Sequence, residues 1–140
     1  MPKLSVRLRV DFGATCAIGP GKIALLEAIG RTGSLSQAAR DLAMSYRRAW
    51  LLLDSLNTSF ARPVADMATG GRGGGGATLT PFGKTLSSVY RKFEADVGRR
   101  AATQFAAIVS EAAESAPATV ARRRLTKAAP ATTKRRARRA

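Results

Sequence analysis

The stretch SLSQAARDLAMSYRRAWLLLDSLN, residues 34–57, decides the fold of this chain. Its apolar residues recur at the three- and four-residue spacing of amphipathic helices. Ser34 is followed three residues later by Gln37, a capping box that predicts reciprocal hydrogen bonds at the start of a helix. Ser45 is a good N-cap for a second helix. The stretch therefore predicts two short helices joined by a tight turn, over about residues 35–42 and 46–57.

The second predicted helix carries basic and aromatic residues in its first turns. At about 100° per residue, its core-facing stripe comprises Ala49, Leu52 or Leu53, and Leu56, and its outer face comprises Tyr46, Arg47, Trp50 and Asp54. Arg47 and Arg48 oppose the helix dipole at this end, which indicates a binding role rather than a solvated face. This layout is that of a helix-turn-helix, whose second helix meets base edges in a major groove. Trp50 is then expected at the boundary between protein and DNA, with core packing as the alternative.

The charge of the chain indicates a polyanionic partner. The 140 residues carry a formal net charge of +15. We expect residues 1–115 to form one folded domain and residues 116–140 to be a disordered basic tail that binds phosphates without reading bases. The nine basic residues of this tail, which has no acidic residue, are Arg122, Arg123, Arg124, Lys127, Lys134, Arg135, Arg136, Arg138 and Arg139.

Several residue types that enzymes and metal sites use are missing or scarce. The chain has no histidine, and its nine acidic residues are scattered, so we expect no catalytic residues, no metal site and no cofactor. Its one cysteine, Cys16, is expected to be a buried structural thiol. No apolar run reaches the roughly 18 residues that span a bilayer, and residues 1–10 lack the pattern of a signal peptide. We therefore expect a cytoplasmic protein with no membrane partner.

Two elements are predicted before the helix pair. Apolar and polar residues alternate over Leu4–Val10, the pattern of a half-buried strand, and a hairpin partner fits around residues 15–18. From Lys22 onward the apolar spacing becomes helical, and this helix is expected to end near Gly33. The chain therefore begins with a predicted β-hairpin and one helix.

A glycine-rich segment follows the helix pair and predicts a β-hairpin wing. Strand-like residues 64–68 and 77–79 flank it, and Arg72 is the one residue of 70–76 other than glycine. An arginine between glycines is suited to contact a phosphate or to enter a minor groove. Residues 71–76 also match G-x-G-x-x-G, but no helix follows directly, so the match does not indicate a nucleotide-binding loop.

A long helix is predicted after the wing. Thr80-Pro81 supplies an N-cap and a first helical residue, and one apolar stripe runs from Phe82 to Ala112, with Gly98 as a point where the helix is expected to weaken. Such a stripe exceeds what a small core covers, which predicts a homodimer through this helix. The predicted fold is α+β and mainly α: a winged helix-turn-helix with an N-terminal β-hairpin and a long C-terminal helix.

Residues 22–96 resemble the N-terminal winged helix-turn-helix domain of the molybdate-dependent transcriptional regulators (the ModE family), which is related to the LysR-type DNA-binding domain. The motifs that carry the resemblance are GPGKIALLEAI at 19–29, GSLSQAARDLAMSYRRAWLLLDSLN at 33–57 and ATGGRGGGGATLTPFGKTL at 68–86. The resemblance implies a dimer on double-stranded DNA whose recognition helices enter successive major grooves. The DNA-binding residues that we expect are Ser34, Ser36, Ser45, Tyr46, Arg47, Arg48 and Trp50, with Arg72 on the wing.

Two features depart from that family. No strand-rich oxyanion-binding domain follows Glu114, so we do not expect this chain to sense molybdate. Ala43 stands in the turn between the helices, where glycine is common in the family. If this position has a positive φ, the alanine costs up to about 1 kcal/mol.

The sequence thus predicts a sequence-specific DNA-binding transcriptional regulator without a ligand-sensing domain, acting on the nucleoid of a bacterium. One alternative is an architectural, nucleoid-associated protein whose binding is mainly non-specific and driven by the tail. Another is an accessory protein that uses the long helix to pair with a different regulator. A specificity ratio of roughly 10³ or more distinguishes a regulator from an architectural protein.

Overall fold

Helices dominate the structure, a computed structural model that describes residues 3–68 and 76–112. Within these ranges the elements are β1 (Val10–Phe12), β2 (Cys16–Ile18), α1 (Pro20–Thr32), α2 (Leu35–Asp41), α3 (Tyr46–Ser59), β3 (Ala65–Met67), β4 (Ala77–Leu79), α4 (Pro81–Gln104) and α5 (Ala106–Val109). β1 pairs with β2, and β3 pairs with β4, each as an antiparallel two-stranded sheet. The predicted α+β, mainly helical fold is confirmed. The basic tail, residues 116–140, lies outside the described residues.

The core lies where α1, α2 and α3 meet. Its fully buried large side chains from these helices are Ile23, Leu25, Leu26, Ile29, Leu35 and Leu56. The buried residues of α2 include the small pair Ala38 and Ala39, which lets the neighbouring helices approach closely. In α3, Leu53 is buried and Leu52 is only half-buried, so Leu53 supplies the core position that the sequence left open.

Hydrogen bonds at the start of α2 follow only half of the predicted capping box. The Ser34 hydroxyl accepts from the Gln37 backbone N–H at 3.2 Å, as expected. The prediction that the Gln37 side chain bonds in return to the Ser34 backbone N–H is wrong, because the Gln37 side-chain amide donates instead to Asp41 Oδ1 at 2.8 Å. The Ser34 backbone N–H donates to Thr32 Oγ1 at 3.3 Å. Thr32 therefore takes the part that the box assigns to glutamine.

The turn between α2 and α3 is a Schellman motif with alanine at its left-handed position. Ala43 has φ +53°, the positive value that was in question. The Met44 N–H donates to the Ala39 carbonyl at 3.0 Å, and the Ala43 N–H donates to the Arg40 carbonyl at 3.1 Å. These two bonds satisfy carbonyl groups at the end of α2 and reverse the chain within a few residues.

The N-terminal hairpin is shorter than predicted. Val10 pairs with Ile18, and the chain then turns into α1 at Pro20. Residues before Val10 consequently have no strand opposite them, so the strand predicted over Leu4–Val10 is wrong for all but its last residue. The preceding segment is anchored differently, since the Tyr90 hydroxyl donates to the Leu8 carbonyl at 2.8 Å.

The base of the wing is fastened to the end of α3 by one asparagine side chain. Asn57 Oδ1 accepts from the Val64 backbone N–H at 2.8 Å, and Asn57 Nδ2 donates to the Ala65 carbonyl at 3.2 Å. In this way the side-chain amide imitates a neighbouring strand beside β3. β3 and β4 pair in the register Ala65–Leu79, so both strands of the wing base are tied to α3.

α4 begins as predicted and ends differently. The Thr80 hydroxyl accepts from the Gly83 N–H at 3.0 Å, and Pro81 occupies the first turn. The helix passes through Gly98 without interruption and ends at Gln104, so Gly98 is not the break. The short helix α5 follows Phe105. Within the described ranges, no helix is both long and apolar enough to cross a membrane.

Replacement of Gly83 by alanine should destabilise the domain. The Val64 carbonyl accepts a hydrogen bond from the Thr80 N–H at 3.0 Å, and this contact places its oxygen where a Cβ on Gly83 would lie. We expect Gly83→Ala to lower the free energy of unfolding by about 1–3 kcal/mol in urea titrations at fixed protein concentration. Gly98→Ala is the matched control, because a Cβ there meets nothing within 4 Å. It should raise the free energy of unfolding by up to about 1 kcal/mol, and equal effects of the two variants would contradict the close approach at Gly83.

Replacement of Ala43 by glycine should stabilise the domain. The left-handed conformation at φ +53° disfavours a Cβ, and glycine removes that penalty. We expect Ala43→Gly to raise the free energy of unfolding by about 0.5–1 kcal/mol. Ala95→Gly, on the exposed side of α4, should lower it by about 1 kcal/mol, since it weakens a helix interior. Destabilisation by both changes would show that Ala43 is not left-handed.

Candidate nucleic-acid interface

The first turns of α3 present aromatic and basic side chains to the outside. The Ser45 hydroxyl caps the helix by accepting from the Arg48 N–H at 3.1 Å, so Ser45 has a structural role whether or not it touches a ligand. Tyr46 is 47% exposed and Trp50 is 45% exposed, and both arginines of this turn are exposed. Trp50 therefore lies outside the core, and the alternative of core packing is wrong.

The two arginines of α3 do not point in the same direction. Successive helical residues are about 100° apart, and Arg48 lines a cleft of about 450 Å³ between the N-terminal hairpin and the start of α1. Arg9 and Lys22 line the same cleft. Lys22 Nζ donates to the Ala17 carbonyl at 2.8 Å, which holds that ammonium group in place. Asp11 also lines the cleft and pairs with Arg9 at 2.9 Å, so the net positive charge of this lateral surface comes from Lys22 and Arg48. Arg47, in contrast, lies on the outer face of the helix.

The start of α2 lies beside the wing base. Ser34 forms a β-bridge with Gly76, and the Ala77 N–H donates to the Gly33 carbonyl at 3.0 Å. Ser34 and Ser36 are both half-buried, and the Ser34 hydroxyl is already engaged as a helix cap. The structure therefore brings the two serines near the wing. The remaining predicted site residues, Arg72 and the nine basic residues of 116–140, lie outside the described residues.

The electrostatic environment distinguishes the arginines of α3 from those of the scaffold. Arg91 bridges Glu27 at 2.6 Å and Glu94 at 2.8 Å, and these carboxylates raise the pKa of its guanidinium above the usual value. Among the described residues, neither Arg47 nor Arg48 is in a salt bridge, and the first turn of α3 contains no acid. Their charges are therefore available to an external anion.

The sequence analysis missed one exposed side chain on the outer face of α3. Leu51 is 50% exposed and is absent from the hydrophobic core. It lies one turn after Arg47, so the two side chains are neighbours on the helix surface. The run Leu51–Leu53 contained the signal, because three consecutive helical residues cannot all face one core.

Comparison with known proteins agrees with this geometry. The model of the bacterial regulatory helix-turn-helix proteins of the LysR family matches residues 21–84. The molybdenum-pterin-binding protein MopB of Rhodobacter capsulatus is 48% identical over 82 residues, which are 59% of this chain and 30% of that protein. The molybdenum transport protein ModE of Azotobacter vinelandii is 38% identical over 63% of this chain and 33% of its own length. The DNA-binding transcriptional dual regulator ModE of Escherichia coli is 42% identical over 51% of this chain and 27% of its own length.

Each of these matches covers only a minor part of the relative. The chain spans about 30% of the length of the curated relatives that it matches. The matched segment 21–84 begins at the second residue of α1, contains the helix pair and the wing strands, and ends in the first turn of α4. This assignment agrees with the expectation that the domain is not an enzyme. Residues 21–84 therefore match the LysR-type bacterial regulatory helix-turn-helix domain, and the relatives of this segment include ModE transcriptional regulators.

Proposed function

We propose that this chain is a sequence-specific DNA-binding transcriptional regulator that acts on double-stranded DNA through α3. The observation that carries the proposal is the exposed first half of α3. There, Arg47 is exposed and outside the salt bridges of the described residues, next to the exposed rings of Tyr46 and Trp50. A helix that places cations against its own dipole loses stability unless a polyanion compensates them. The bacterial nucleoid in the cytoplasm is the proposed location.

The two arginines of α3 have different proposed roles. Arg47, on the outer face, is the candidate for a bidentate contact to guanine in the major groove. Arg48 lies on the lateral surface with Arg9 and Lys22, which suits a contact to the phosphate backbone rather than to a base. Phosphate contacts of this kind position a protein on DNA, and base contacts select the sequence.

Two further parts of the proposal rest on sequence alone. Arg72 at the wing and the basic residues of 116–140 are proposed to bind phosphates or a minor groove, and the proposed domain division is 1–115 and 116–140. The expectation that this chain does not sense molybdate also stays a prediction. The names of its relatives associate them with molybdenum, but the chain matches only about a third of their length.

We also propose a homodimer through α4 and the N-terminal hairpin. Val89 is 60% exposed and Phe93 is 50% exposed, although both lie on the apolar side of α4. This face continues through an aromatic chain, since the Phe60 ring lies 5.4 Å from Phe82 and 5.6 Å from Phe12, which is itself exposed. An exposed apolar face of this kind is typical of an interface. A second copy is the proposed partner, because a two-fold dimer places two recognition helices on two half-sites.

Removal of the Arg47 guanidinium should weaken specific binding most. We expect Arg47→Ala to cost about 1–3 kcal/mol on a preferred site, the value of a bidentate arginine–guanine contact, and much less on random DNA. Lys84→Ala removes an exposed cation of α4 on the side opposite Phe93 and serves as the matched control, with little effect on either DNA. Titrations by fluorescence anisotropy with competitor DNA measure both. Equal losses on both DNAs would show that Arg47 touches only phosphate and would favour the architectural alternative.

A charge placed on the apolar face of α4 should dissociate the dimer. Phe93→Asp would bury a carboxylate in the proposed interface, whereas Ser88→Asp puts the same charge on the far side of the helix. Sedimentation at tens of micromolar should show a dimer for the unmodified chain and for Ser88→Asp, and a monomer for Phe93→Asp. A monomeric unmodified chain would overturn this part of the proposal.

Deletion of residues 116–140 should reduce the salt dependence of DNA binding. If about half of the nine positive charges engage phosphates, the slope of log K against log salt should fall by about 4 per chain, at roughly 0.9 per phosphate. The ranking of preferred sites should be unchanged, because a basic arm of this kind does not read bases. An unchanged slope would show that the tail is not on the DNA, and a changed ranking would show that it contributes to base recognition.

A further inference from the structure

Leu51 is an apolar side chain in the middle of a polar and charged surface. On a helical wheel its neighbours on the outer face of α3 are Arg47, one turn before it, the exposed Asp54, one turn after it, and Thr58, two turns after it. It is half exposed, whereas the buried residues of the same helix are Ala49, Leu53 and Leu56. The leucine therefore contributes nothing to the core that would explain its presence at this position.

The position of Leu51 restricts what it can touch in a DNA complex. It is the sixth residue of α3, within the first two turns that carry Arg47 and Trp50. If Arg47 reaches a base edge, Leu51 beside it also faces the floor of the groove rather than the phosphates. A leucine has no hydrogen-bond donor for a phosphate, and it has no acceptor or donor for a polar base edge.

Only one group on the major-groove edges of the four bases matches an aliphatic side chain. Guanine, adenine and cytosine present acceptors and amino groups there, and thymine presents a C5-methyl group beside its O4 acceptor. We propose that Leu51 determines sequence specificity by packing against the C5-methyl group of a thymine close to the base that Arg47 contacts. This inference rests on the proposed function, since it names a base that the same helix would select.

A protein partner is the less favoured occupant of this surface. Arg47 and Arg48 lie one turn before Leu51 and are in no salt bridge of the described residues, whereas the exposed Asp54 lies one turn after it. The N-terminal side of the surface around Leu51 therefore complements a polyanion. Of the other strongly exposed aliphatic side chains, Val89 lies on α4, which is assigned here to the dimer, and Ile108 lies on α5, after α4. Leu51 is separate from that face and belongs to the helix that faces DNA.

The test uses the full chain and a chemical change confined to one methyl group. Preferred sites are first selected from a pool of random duplex DNA. Each thymine of a selected half-site is then replaced by deoxyuridine, which removes only the C5-methyl group. At one thymine per half-site, we expect binding to weaken about fourfold, the value of one buried methyl. Leu51→Ala should bind the unmodified site about fourfold more weakly or worse and should not distinguish thymine from uracil at that position.

Two controls separate this contact from general damage. Thr58→Ser removes a methyl from the same face two turns further on and keeps the hydroxyl that donates to the Asp54 carbonyl at 2.9 Å, so it should retain the sensitivity to uracil. Circular dichroism and the unfolding midpoint of Leu51→Ala should match those of the unmodified chain, because alanine is a good helix former at an exposed site.

The outcomes distinguish this inference from the proposed function. A pool in which no site is enriched would overturn both. Enriched sites at which no thymine is sensitive to uracil, or at which Leu51→Ala keeps the full sensitivity, would overturn the role of Leu51 and leave the proposed regulator intact. Enrichment of the same sites by Leu51→Ala with unchanged affinity would likewise overturn it.

Discussion

The turn between α2 and α3 is the constraint on which the rest of the structure depends. Two hydrogen bonds at Ala43 and Met44 end α2, and Ser45 begins α3 immediately afterwards. Because so few residues separate the two helices, the angle at which α2 and α3 cross is set by this turn and by the small alanines of α2. The burial of Leu53 and Leu56 then fixes the rotation of α3 about its axis. That rotation decides which side chains are presented outward, so a backbone conformation unfavourable for alanine is retained where the orientation matters most.

Charge is distributed unevenly over the fold, in a way that agrees with the proposed function. The carboxylates of Glu27 and Glu94 hold Arg91, and this network joins α1 to α4. Arg91 is therefore paired within the fold, whereas no described acid forms a salt bridge with Arg47 or Arg48 in the first turn of α3. The two carboxylates also neutralise the charge of the half-buried Arg91, so this arginine adds no positive charge to the surface potential. The basic surface at α3 and the N-terminal hairpin is left to attract a polyanion.

Most of the elements could be predicted from the sequence, because their signals are local. Serine and threonine caps at Ser34, Ser45 and Thr80 mark helix starts, and all three hydroxyls accept the expected backbone bond. The sequence-based predictions were wrong where a residue's structure depends on a pairing partner that is distant in sequence, or on one that competes with the expected partner. The strand before Val10 lacks a partner because the chain turns at Pro20, and Gln37 bonds to Asp41 rather than to the backbone.

The candidate site was predictable only in part, for similar reasons. The exposed residues of α3 follow from helical periodicity, but the separation of Arg48 from Arg47 depends on the neighbouring hairpin, which no local pattern reveals. Leu51 was overlooked because a run of three leucines suggests a core, and only packing shows which of them is left outside.

The side-chain hydrogen bonds of Asn57 have a mechanical consequence. They join the C-terminal part of α3 to the backbone of Val64 and Ala65, so one side chain links the wing base directly to α3. A rotation or tilt of α3 in one groove of a double helix would therefore move the wing strands as well. α3 and the wing strands would then move as one rigid unit. DNA of a different groove geometry would have to deform to contact both α3 and the wing. The stiffness of the duplex would thereby contribute to the choice of binding site.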